Sequence, residues 1–127
     1  MDTQELHDRG LALRRELFGA AAVEERTRAL GEFGAPLQHI INAYAYGDIW
    51  SRTGLPLATK SLAMIAMMAA AGKPAELRVH LKGALKNGCT AEQIREILLL
   101  VALYCGIPAA NEAHRAAVDV LREAPSP

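Results

Sequence analysis

The sequence predicts an all-α fold, and three observations lead there. No segment shows the two-residue alternation rich in β-branched residues that marks a strand. Glycines and prolines fall at points that suit helix ends. The stretch Glu76 to Cys89, "ELRVHLKGALKNGC", sorts into clean stripes at 100° per residue.

Six to seven helices account for the chain. The first is expected over about Thr3 to Phe18 and the second over about Val23 to Leu30. "GEFGAP" breaks the chain, and a third helix carries "LQHIINAYAYG". "DIWSRTGLP" reads as a loop, or a short helical turn followed by a loop. A fourth helix, "LATKSLAMIAMMAAAG", ends at Gly72, which suits a left-handed cap. Pro74 suits the first turn of the fifth, which stops at Asn87 and Gly88. "TAEQ" opens the sixth as a capping box, with Thr90 as cap and Gln93 three residues on. That helix stops at Gly106. Pro108 starts the seventh, which fades near "REAPSP", with fraying over the last few residues.

The 127 residues suit one domain. Fourteen basic and fourteen acidic side chains cancel, so there is no cationic excess for nucleic acid. No apolar run reaches the roughly 18 residues of a membrane span. The polar start, "MDTQELHDRG", shows no signal peptide, so a cytoplasmic protein is expected. Cys89 and Cys105 form no CxxC pair and fit no common zinc spacing, and no histidine has partners that make a metal site. Two lone thiols read first as small buried hydrophobes.

Two stretches, Leu62 to Ala71 and Ile97 to Cys105, are apolar on every face. Such helices must be buried all round. Either they are central, or part of their surface meets another subunit. The limited interior of a chain this short favours a homo-oligomer.

The fifth helix carries three stripes. Leu77, Leu81, Ala84 and Leu85 form a core stripe, and Arg78, Lys82 and Lys86 a solvated one. Glu76, His80, Gly83 and Asn87 lie at the boundary between them. Neighbours at i and i+4, Glu76 and His80 can share a proton. Two readings stand: a surface pair of small energetic weight, or a cleft lined by a carboxylate and the side chain best suited to proton transfer near neutrality. A second cluster, "YAYGDIWSR", brings the only tryptophan, Trp50, beside Arg52. It is either a ligand-binding loop or a loop anchored by its Trp. Lys60 lies among apolar neighbours and either snorkels to solvent or faces an anion.

"YGDIWSRTGLPLATKSLAMIAMMAA" and "ELRVHLKGALKNGCTAEQIREILLLVALYCGIPAANEA" resemble the 4-carboxymuconolactone decarboxylases. The similarity runs from Gly10 to Leu121, giving one domain over 1–127 with a core of 10–121, and is densest from Tyr46 to Ala113. The wider superfamily includes alkyl hydroperoxidase D, whose active centre is a CxxC followed one turn later by a histidine. His80 matches that histidine. Glu76 and Lys73 stand where the two cysteines would be, so disulfide-based peroxide reduction is not carried over. The chain also departs from the decarboxylase pattern. Ala45-Tyr46-Gly47 replaces an aromatic–Trp–Gly step, and Lys60 replaces an arginine, turning a bidentate clamp into a point charge.

The resemblance implies an alkyl hydroperoxidase D-like helical bundle in a ring-shaped homo-oligomer, a trimer or hexamer. It implies cofactor-free loss of CO2 from 4-carboxymuconolactone, or a similar carboxylated lactone, giving 3-oxoadipate enol-lactone in the protocatechuate branch of the β-ketoadipate pathway. His80, the residue matched by the resemblance, is expected to be the proton donor. From residue type, Glu76 is expected to orient it, Arg52 and Lys60 to bind the substrate carboxylates, and Trp50 to form an apolar wall. No metal or cofactor, nucleic acid or membrane partner is implied. Two other readings remain: a peroxidase-like relative using a lone cysteine, and a non-enzymatic oligomeric binder of small carboxylates.

Overall fold

The computed structural model describes residues 1–124. Among them are seven α-helices and one π-helical segment, with no strand. The expected fraying of the last few residues falls largely outside the described residues. The helices group into two compact units, Met1–Leu55 and the remainder from Pro56.

In the first unit, α1 (Thr3–Phe18) starts at Asp2, whose side chain accepts from the Glu5 N–H at 2.8 Å. It ends at Gly19, whose φ of 93° stops right-handed propagation. α2 (Ala20–Leu30) therefore begins three residues before the expected Val23. With the chain already reversed at Gly19, the alanines of "AAAV" have no reason to stay outside the helix.

α3 (Ala35–Ile40) runs without a break into the π-helix Ile41–Trp50. Of the two readings of "DIWSRTGLP", the helical turn followed by a loop holds: Asp48, Ile49 and Trp50 are helical, and the loop starts after Trp50. The reason lies in packing. α1 lies so close to this segment that a side chain at Gly10 would overlap the Asn42 carbonyl, and one at Gly47 would overlap the Leu6 carbonyl. Side-chain-free backbones pack in register here and hold the helix past the polar residues. The Ser51 hydroxyl then donates to the Gly47 carbonyl at 2.5 Å and closes the last turn.

In the second unit, α4 (Leu57–Ala71) and α5 (Pro74–Lys86) are joined through Gly72, which is left-handed at φ 68° and ψ 47°. The Lys73 N–H bonds to Met68 O and the Gly72 N–H to Ala69 O, the paired pattern of a Schellman cap. The same pattern ends α5, with Cys89 N–H to Ala84 O and Gly88 N–H to Leu85 O. Thr90 and Gln93 form the expected reciprocal capping box at the start of α6 (Ala91–Cys105). α7 (Ile107–Glu123) follows Gly106 directly.

Ile65 and Ala69 from α4, Leu77, Leu81 and Ala84 from α5, Ile94, Leu98 and Val101 from α6, and alanines with Val120 from α7 form one core. Burying each large aliphatic side chain contributes about 1.5–3 kcal/mol. Arg78 to Asp119 at 2.8 Å ties α5 to α7 at the surface.

The two all-round apolar stretches are only partly buried within this chain. Leu99, Leu100, Leu103 and Tyr104 on α6 and Ile107 on α7 are exposed, as is Met67 on α4.

Candidate active site

His80 sits at mid-length of α5, one turn from Leu77 and Ala84. It is buried at 6% exposure, and its Nδ1 is shut off from solvent. The boundary stripe drawn from the sequence divides here. His80 and Gly83 turn inward with the core residues, whereas Glu76 is exposed. His80 therefore lies inside the buried face, not outside it as the helical wheel implied. A 100° projection places a residue on a face, but the neighbouring helices decide how wide the buried arc becomes.

Glu76 stands one turn from His80, on the solvent side of the helix. Asn87, the fourth member of the stripe, is a structural link. Its Nδ2 donates to the Ser61 hydroxyl at 3.1 Å, tying the end of α5 to α4. Ser61 is itself buried, and its chain neighbour Lys60 is half-buried. The second unit thus supplies an imidazole in a dry setting, an ammonium on the adjoining helix and a carboxylate open to solvent.

The other two predicted residues, Trp50 and Arg52, lie in the first unit. Trp50 is buried at the end of the π-helix and stacks on Tyr46 with ring centroids 5.4 Å apart. Phe18 meets Tyr46 edge-on at 5.8 Å, so Trp50 is one end of an aromatic row. Arg52 is exposed. It donates through Nε to Asp48 Oδ1 at 3.1 Å and pairs with the same oxygen through Nη2.

A set of polar residues that sequence reasoning missed lies behind the row. Arg14 is buried, with its guanidinium 5.7 Å from the Tyr46 ring centre. Its Nη1 donates to Gln38 Oε1 at 2.9 Å and to Asn42 Oδ1 at 2.7 Å. Burial pushes the Arg14 guanidinium below its ordinary value, Tyr46 opposing. The two amides that satisfy it are 24 and 28 residues away in sequence. The only signal available was an amide pair four residues apart on one helix.

The cysteines differ. Cys89 is buried, its thiol donates to the Ala58 carbonyl at 3.4 Å, and burial pushes its pKa up. That is the opposite of what an activated thiol needs. Cys105 is exposed at the end of α6. No group of three or more His, Cys, Asp or Glu side chains that could hold a metal occurs among the described residues. No helix of the described chain is long and apolar enough to cross a membrane.

The carboxymuconolactone decarboxylase family model matches residues 35–119. That span takes in the aromatic row from Tyr46, Arg52, Lys60 and the whole of α5. The chain is 37% identical to the 4-carboxymuconolactone decarboxylase of Acinetobacter baylyi over 97% of its own length and 92% of the relative's. It is 36% identical to a nitrosuccinic acid decarboxylase of Metarhizium robertsii, covering 85% of this chain and 76% of that one. With a family model spanning most of the chain and a relative matched nearly end to end, this protein belongs to the carboxymuconolactone decarboxylase family.

Proposed function

We propose that this carboxy-lyase acts without a cofactor on 4-carboxymuconolactone or a closely similar carboxylated lactone. The observation that carries the reading is a buried imidazole, His80, inside the stretch that the family model matches. In such a substrate the bond from ring carbon to carboxylate breaks and CO2 leaves. Its electron pair passes through the ring double bond into the lactone carbonyl, giving a furan-like enolate. A proton delivered to ring carbon completes the enol-lactone. His80 as imidazolium delivers that proton, and solvent restores it.

Lys60 and Arg52 bind the substrate's carboxylates, and Trp50 closes the apolar side. Excluding water strengthens each of these charge interactions. Glu76, one turn away on α5, orients the imidazole. The Asp48 pair holds Arg52 in place until a substrate carboxylate competes for it. The product enters the protocatechuate branch of aromatic catabolism, in the cytoplasm, and the protein works as a ring-shaped trimer or hexamer.

A second substrate reading has one observation in its favour, the nitrosuccinic acid decarboxylase relative. A nitro group can accept the electron pair as the lactone carbonyl does. Steady-state assays on both acids decide between them. The lactone should turn over with the higher kcat/KM. His80→Ala and His80→Gln should each lower kcat by about 10²–10⁴-fold, the range for a positioned general acid. A higher KM with kcat unchanged would make His80 a binding residue only.

A further inference from the structure

The first unit contains a cavity of about 540 Å³ formed by α1, α2 and α3. Its volume is that of a small-molecule pocket. None of its lining residues takes part in the chemistry proposed above.

The hydrogen bonds around it fix which atoms face inward. An arginine can only donate, so Arg14 Nη1 requires that Gln38 and Asn42 turn their carbonyl oxygens to it. Both amide nitrogens must then point the other way. Asn42 Nδ2 meets His7 Nε2 at 3.2 Å, which makes Nε2 the acceptor. His7 as bonded here therefore carries its proton on Nδ1, where Asp8 Oδ1 accepts at 3.2 Å. Gln38 Nε2 has no such partner among the described residues. Gln38 lines the cavity, so its amide donor is open to an oxygen of whatever occupies it.

The rest of the lining indicates which oxygen. Arg15 and Arg28 stand at the cavity, opposed by Glu24 alone, which leaves one positive charge among the arginines and carboxylates. His39 stacks on His7, with ring centroids 5.5 Å apart and planes within 10°. Both rings line the cavity, and Leu11 and Val23 add apolar wall. We propose that this cavity is a second ligand site, for a monocarboxylate with a flat apolar body. The carboxylate meets Gln38 Nε2 and an arginine, and the body lies along the imidazoles and aliphatic side chains.

The test is titration of the full-length protein with benzoate, followed by amide and imidazole NMR. Benzoate should shift the Gln38 side-chain amide and the His7 and His39 rings, and saturate. Benzyl alcohol, lacking the charge, should not. An Arg15→Ala/Arg28→Ala double variant should bind about tenfold more weakly, and Lys at both positions should restore most of the affinity. Both arginines are exposed, so circular dichroism should be unchanged, and lactone kcat/KM should match wild type. Three results would overturn the site: no shift of Gln38 at about 10 mM benzoate, the weak end of specific binding; shifts confined to His80; or wild-type affinity in the double variant. None of these bears on lactone turnover, so this site and the proposed activity stand or fall separately.

Discussion

At the scale of single residues, His80 shows how burial and chemistry bear on each other. His80 is buried on α5, whereas Glu76 one turn away is open to solvent. If Glu76 orients the imidazole as proposed, Glu76→Gln should lower kcat, by less than His80→Ala does, and leave KM near wild type. A wild-type kcat would show that the exposed Glu76 does not act through the imidazole. For Arg52, whose side chain is 66% exposed, the expected effect is small. Arg52→Ala should raise KM by about tenfold or less, in the range of exposed ion pairs, and leave kcat near wild type. A wild-type KM would assign the Arg52–Asp48 pair to the helix end alone. His80 was legible in the sequence because helical spacing set it apart and the resemblance matched it. Arg14 was not, because its burial depends on two amides more than twenty residues away, and "ALRREL" reads as an ordinary solvated turn.

At the scale of elements, what the sequence made legible was local chemistry. The bounds of α1, the left-handed Gly72, Pro74 in the first turn of α5 and the Thr90–Gln93 box are each decided by a few adjacent residues. The π-helix is decided otherwise. Its wider turns have no compositional signature, and short π segments occur where packing or function imposes them. Here the imposing partner is α1, through Gly10 and Gly47. Gly10→Ala and Gly47→Ala should each destabilise the protein by about 1–3 kcal/mol, the usual cost of overpacking, seen as a lower Tm. An alanine in an ordinary helix would instead stabilise relative to glycine, so an unchanged or higher Tm would refute the close approach.

At the scale of the whole molecule, the exposed side chains of α6 and α7 bear on assembly. Leu99, Leu100, Leu103, Tyr104 and Ile107 make an apolar surface that few monomers leave open. Light scattering should give a mass above that of a dimer, and Leu103→Asp should reduce it. A monodisperse monomer at micromolar concentration would remove the argument. The unequal burial of the two cysteines adds a consequence of its own. Cys89 is closed off within the chain, while Cys105 sits at the end of α6, next in sequence to Tyr104, and is open only as long as that surface is. Under the proposed assembly, its rate of reaction with a thiol reagent becomes a clock for subunit exchange. The rate should fall as protein concentration rises and increase in Leu103→Asp, letting the equilibrium between free and assembled chains be followed by one sulfur atom without any label.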